Sequence, residues 1–233
     1  MLVTLTIIRY RRLFIPFALL SMAIFHLPLF LNKKIRFYKL MGSGKNGTFD
    51  KHPDWQQWAV LVVHNTAAST CTDQVFGAFI NKWLAFFRCE TWTIFLEPME
   101  GHGKWDKKEV FGALSAAPNY NGPVAILTRA TIRFSKLGSF WKNVNPVAAG
   151  MAAAKGFITS FGIGEVPYIK QATFSIWENK EAMKQFAYNM QEHSDVIKRT
   201  RQERWYSEEM FVRFRPLKST GTIRGIDPLA GKL

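Results

Sequence analysis

Between residues 173 and 188 the chain reads TFSIWENKEAMKQFAY, and the period of its apolar positions changes midway. Thr173, Phe174, Ser175, Ile176 and Trp177 are β-branched, aromatic or alternating, a pattern that predicts a strand. Asn179 can cap a helix, and Met183, Phe186 and Ala187 recur at helical spacing. The expected helix runs on through FAYNMQE to His193. A strand feeding a helix that ends near a histidine either builds a core or holds a group against that imidazole.

A second pattern is apolar on every side. Residues 13 to 31, LFIPFALLSMAIFHLPLFL, are almost uncharged and about as long as a bilayer-spanning helix. Pro16 and Pro28 interrupt a continuous helix, His26 is costly in hydrocarbon, and basic residues on both flanks give no orientation. Self-similarity along the chain decides between lipid and protein. IRYRRLF (8–14) resembles IRFSKLG (132–138), and RFYKLMGSG (36–44) resembles GFITSFGIG (156–164). WAVLVVHNTAAS (58–69) then matches QATFSIWENKEA (171–182), and WTIFLEP (92–98) matches MFVRFRP (210–216). The blocks keep their order in both halves.

Each half therefore reads strand, helix, strand, strand, helix, strand. The expected fold class is α+β: two tandem ferredoxin-like βαββαβ units packed as a dimeric α/β-barrel-type pseudo-dimer. The expected halves are residues 1–120 and 121–218, joined at NYNGP (119–123) and followed by a C-terminal tail, 219–233. In this register residues 11–31 hold the first helix, matching Leu137–Ala153, and the expectation is burial between sheet and partner rather than in lipid.

Composition narrows the function classes. With 48% apolar residues the chain can bury a core and is not disordered. Cys71 and Cys89 make neither a disulfide framework nor a four-ligand zinc site, which fits a reduced, cytoplasmic setting. Thirty-one basic residues against 17 acidic give a net charge of +14 and suggest an anionic partner. No helix-turn-helix, zinc-finger or RNP-like motif accompanies that charge, so nucleic acid is not the expected partner. An anionic membrane surface or an acidic redox protein is. Gly162 and Gly164 imitate a phosphate loop, but no helix opens at Pro167; a bulge or a close backbone approach explains them.

The segments FYKLMGSG, WTIFLEP, AILTRATIR, GIGEVP, TFSIW, FAY and WYSEEMFVRF together resemble the spheroidene monooxygenase family of carotenoid biosynthesis. The resemblance runs from about residue 3 to Gly225. It implies a haem-dependent oxygenase of α/β-barrel type. Such an enzyme inserts oxygen from O2 into the end of a long acyclic carotenoid, takes electrons from a reduced ferredoxin, and yields a ketone. The implied cofactor is haem b; cysteine usage and basic charge add the expectation of a cytoplasmic location, peripheral to the inner membrane face. The uniformly apolar first helix departs from the family pattern and leaves membrane contact open.

A haem takes His, Cys, Met or Tyr as axial ligand. His193 is the first candidate, since haem-binding proteins of this fold take their proximal histidine from the same helix; the competing reading is a surface residue in QEHSDVIKR. His26 is the alternative ligand, or a buried, hydrogen-bonded histidine. Arg129, a charge inside an apolar strand, either meets a haem propionate or bound oxygen, or pairs with Glu165. Glu165 either orients a ligand or is that partner. Phe174, Trp177, Phe186 and Trp205 are candidates for a polyene channel, or are simply core. A cofactor-independent or non-catalytic barrel that binds a lipid-like ligand is the alternative function.

Overall fold

The computed structural model describes residues 1–45, 50–65, 75–112, 114, 120–189, 199–200 and 202–233. In chain order the first half comprises β1 (Val3–Arg9), α1 (Ile15–Ile24), α2 (His26–Leu31), β2 (Ile35–Gly44), β3 (Pro53–His64), α3 (Ala78–Phe86) and β4 (Glu90–Gly103). The second half repeats the order with β5 (Val124–Ile132), α4 (Leu137–Ala153), β6 (Phe157–Val166), β7 (Lys170–Trp177), α5 (Lys180–Asn189) and β8 (Tyr206–Gly221). Both halves are ferredoxin-like, with strands ordered β4-β1-β3-β2 and β8-β5-β7-β6.

The two sheets join at both edges into one closed antiparallel barrel. Closure covers the joined strand edges fully along β4–β8 and only briefly along β2–β6. One seam is long: β4 pairs with β8 from Trp92 opposite Gly221 to Gly103 opposite Met210. The other is short, with Gly42 opposite Gly164 and Ser43 opposite Ile163. The Gly-x-Gly elements of the two halves thus meet each other. Register shifts sit beside both of them, in the β2–β3 and β6–β7 ladders, where an extra residue bends a strand around the barrel corner.

Period-2 alternation sorts the side chains into compartments. Leu5, Leu61, Trp92, Leu127, Phe174 and Phe214 point inward and form the barrel core. Ile8, Val60, Val62 and Phe95 point outward beneath α1–α3. Val124, Ile126 and Trp177 point outward beneath α4 and α5. The segment expected as a tail is packed: Ile223 and Leu229 enter the core, and Asp227 accepts a hydrogen bond from Trp92 Nε1 at 2.8 Å.

The apolar segment 13–31 lies along the barrel. β1 and β2 each run antiparallel to β3, so they are parallel to each other, and the helices between them form a crossover tied at both ends. A chain so tethered cannot cross a bilayer without undoing the sheet. Burial is only partial, however. Ala18, Ser21, Phe25 and Leu29 face the sheet, while Leu13, Leu20, Leu27 and Phe30 are exposed. The expected burial against the sheet is seen on one face of the segment, and the other face is uncovered.

Candidate functional site

A cavity opens between the outer face of the second-half sheet and its two helices. Ile126 and Thr128 of β5, Thr173, Ser175 and Trp177 of β7, and Tyr206 and Phe211 of β8 form its floor. Phe140, Val144, Ala148 and Met151 of α4 and Met183, Phe186 and Ala187 of α5 form its walls, with Trp205 and Asn143 completing the lining. It encloses about 230 Å³, and about 950 Å³ of empty space counting the open mouth. Apolar side chains dominate and a few hydroxyls and one amide converge, the usual constitution of a small-molecule pocket.

Local structure sets each wall. Phe140, Val144, Ala148 and Met151 recur at helical spacing and so present one stripe of α4 to the cavity. The Asn179 side chain accepts a hydrogen bond from the Ala182 backbone N–H at 2.8 Å, capping α5 as its sequence position suggests. Trp177 is fixed by donating Nε1–H to Ser175 Oγ at 3.0 Å, and its ring lies 5.1 Å from that of Phe186. Trp205, fully buried, donates to Glu203 at 2.9 Å. Burial pushes the Tyr206 phenol up to about 12, so it meets the cavity as a neutral hydroxyl.

Of the residues singled out in the sequence, Trp177, Phe186 and Trp205 come together in this lining. Phe174 does not. It is on the opposite face of β7 and belongs to the barrel core. Arg129 is likewise across the sheet from its neighbour Thr128. Its Nε donates to Glu165 at 3.1 Å and its Nη2 to Asp106 at 3.0 Å, while Nη1 donates to Glu208. Of the alternatives open for Arg129, the geometry is that of the ion pair with Glu165. Lys39 bridges Glu165 and Asp106 at 2.5 Å each, Lys170 reaches Asp106 at 2.7 Å, and the Trp105 indole donates to Glu165 at 2.8 Å. Three cations and three carboxylates close one end of the barrel, and neither Arg129 nor Glu165 reaches the cavity.

His193 lies outside the described residues. His26 is exposed rather than buried, its Nδ1 is 3.2 Å from the Tyr38 hydroxyl, and it is on the first half, away from the cavity. Among the described residues no cluster of three or more His, Cys, Asp or Glu is placed to hold a metal ion. The segment 173–188 supplies one wall as its pattern suggested, through Thr173, Ser175, Trp177, Met183, Phe186 and Ala187. The lining residues that the sequence did not single out are those of α4, Ile126 and Thr128 of β5, and Tyr206 and Phe211 of β8; the stripe on α4 was the available signal.

In the described lining aromatic rings supply flat apolar faces, and Met151, Met183 and Tyr206 are the lining residues whose side chains belong to axial-ligand chemistry. It contains no carboxylate, imidazole, thiol or amine.

Fold and cavity together define a two-half α+β barrel with a lateral apolar ligand pocket. An aldoxime dehydratase solved in complex with butyraldoxime superposes with a TM-score of 0.62, at 10% identity, over 93% of this chain and 79% of that one; the likeness is one of fold. No family model matches the chain. It is 33% identical to spheroidene monooxygenase of Rhodobacter capsulatus over 220 residues, which is 94% of this chain and 91% of that protein. It is also 33% identical to spheroidene monooxygenase of Cereibacter sphaeroides over 201 residues, 86% of this chain, and spans 61% of that protein's length. The chain belongs to the spheroidene monooxygenase family, a family of oxidoreductases.

Proposed function

We propose that the chain is a haem-dependent monooxygenase that inserts oxygen from O2 near the end of a long acyclic carotenoid, held in the cavity beneath α4 and α5. The observation that carries this reading is the joint presence of 33% identity to Rhodobacter capsulatus spheroidene monooxygenase along nearly the whole chain and an aromatic-walled cavity open at one side. An open mouth lets a polyene longer than the cavity place only its end inside.

The chain's own residues contribute binding and orientation. Trp177, Phe186 and Trp205 offer flat apolar faces to a polyene or a macrocycle, and Phe140 and Met151 exclude water from the opposite wall. Thr128, Thr173, Ser175 and the neutral Tyr206 hydroxyl are the hydrogen-bonding groups available to an oxygen atom carried by substrate or product. Haem b, when bound, would supply the oxygen-activating iron, with a reduced ferredoxin as the source of electrons. His193 is the proposed ligand on sequence grounds: it comes after α5, whose Phe186 and Ala187 line the cavity.

Visible absorption of the purified protein titrated with haem tests the cofactor. A saturable Soret band at one haem per chain is expected, and it should be lost in His193→Ala with the circular dichroism unchanged. If haem does not bind, the cofactor proposal fails and the cofactor-independent reading takes its place.

A further inference from the structure

The outer face of the first-half helices is apolar, exposed and continuous. Leu13 is 82% exposed, Phe30 76%, Leu27 65% and Leu20 48%, and only 22% of the most apolar stretch of Arg12–Leu31 is buried. α3 extends the face. Phe86 is 79% exposed, and its ring is 5.0 Å from Phe87, which in turn lies 4.7 Å from Phe17 of α1. Contiguous apolar surface of this kind marks an interaction site rather than scattered surface residues.

Its rim has one sign of charge. Arg11, Arg12, Lys33, Lys34, Lys82 and Arg88 are exposed at the helix ends and flanks, and none of them is in an ion pair among the described residues. The first 49 residues contain no Asp or Glu, and neither does the stretch from Val75 to Cys89. An apolar face ringed by unpaired cations complements a sheet of hydrocarbon beneath anionic headgroups. A second copy of the chain fits it poorly, because an isologous contact would bring the two cationic rims together.

We propose that this face is a membrane-docking surface. α1, α2 and α3 lie in the plane of an anionic bilayer, with Leu13, Phe17, Leu20, Leu27, Phe30 and Phe86 inserted below the headgroups and the rim cations on the phosphates. The barrel stays outside the hydrocarbon, since the crossover from β1 to β2 holds the helices flat against it. This docking is independent of what the cavity binds. It has a use for any ligand that resides in a bilayer.

Co-sedimentation with phosphatidylglycerol-containing and pure phosphatidylcholine vesicles tests it, using wild type, Leu27→Asp/Phe30→Asp and Lys33→Glu/Lys34→Glu. Wild type should bind the anionic vesicles, and each double variant should lose about tenfold or more of that binding with thermal unfolding unchanged. Salt should weaken wild-type binding without abolishing it, because the inserted side chains are not screened. Failure of wild type to bind anionic vesicles at low salt overturns the proposal, as does undiminished binding by Leu27→Asp/Phe30→Asp. Sedimentation velocity supplies the other contrary result: a wild-type dimer abolished by that variant, without vesicle binding, would make the face a self-interface.

Discussion

Arg129 and Glu165 face each other inside the barrel, Nε to Oε1 at 3.1 Å, from strand β5 and strand β6 on either side of β7. With Glu208 and Asp106 on its other nitrogens, the Arg129 guanidinium binds three carboxylates at 1% side-chain exposure. Arg129→Ala leaves those part-buried carboxylates facing each other with Lys39 and Lys170 as their remaining cations. Urea unfolding should show a loss of about 2–3 kcal/mol, less than the full cost of breaking a buried pair because water and the two lysines reach the carboxylates left behind. Ligand affinity of the folded fraction should be unchanged, because the cavity is across the sheet.

The same cluster sets an acid limit. Burial by itself would raise the Asp106 carboxyl, but hydrogen bonds from Lys170 and Lys39 carry it well below the ordinary 3.8. Glu208 is also lowered from 4.5: burial opposes this, and the Lys107 backbone N–H and Arg129 outweigh it. A carboxyl depressed on folding adds stability above its unfolded value and loses it as pH falls through the folded one. Thermal unfolding should therefore worsen once pH drops below about 4.5, and Glu208→Gln should flatten part of that slope. A wild-type advantage over Glu208→Gln that does not shrink as pH falls would contradict this.

The βαββαβ order was legible because a repeat needs only the sequence of strand and helix patterns, and the two halves share it. Which strand face meets the cavity was not legible. In β7 both faces are covered, Phe174 by the barrel core and Trp177 by α5, so apolar residues fall on both sides and alternation loses its meaning. Arg129 announced a buried pair, and Glu165 could be named as a partner. Asp106 and Glu208 come from a turn after β4 and from β8, a convergence that only the closed barrel creates. In segment 13–31 every side is apolar, so no hydrophobic stripe told the docked face from the exposed one.

The long seam depends on a glycine. Gly103 has φ of +88°, and a Cβ there would come within 2.2 Å of Glu209 O and 2.7 Å of Met210 Cα across the β4–β8 seam. Gly225 has φ of +77° with open space around it. Gly103→Ala should cost about 2–4 kcal/mol through strain and overpacking together, and Gly225→Ala about 1–2 kcal/mol through conformation alone. Paired denaturant titrations measure the difference, and equal costs would count against the close packing of the seam.

If the lateral cavity is where the reaction occurs, Met183→Trp should block it. Met183 is part of the cavity wall, and an indole there would fill space that a polyene end needs while leaving the barrel core untouched. Wild type and Met183→Trp are each supplied with haem, reduced ferredoxin, an acyclic carotenoid and isotopically labelled dioxygen. Borohydride then traps any ketone before its oxygen exchanges with water, and the products are read by mass spectrometry. The expected result is one labelled oxygen in the wild-type product and at least about a hundredfold less product from an equal amount of folded variant, as for a loss of roughly 3 kcal/mol of binding and positioning. Labelled product formed at the wild-type rate by Met183→Trp would place the chemistry elsewhere.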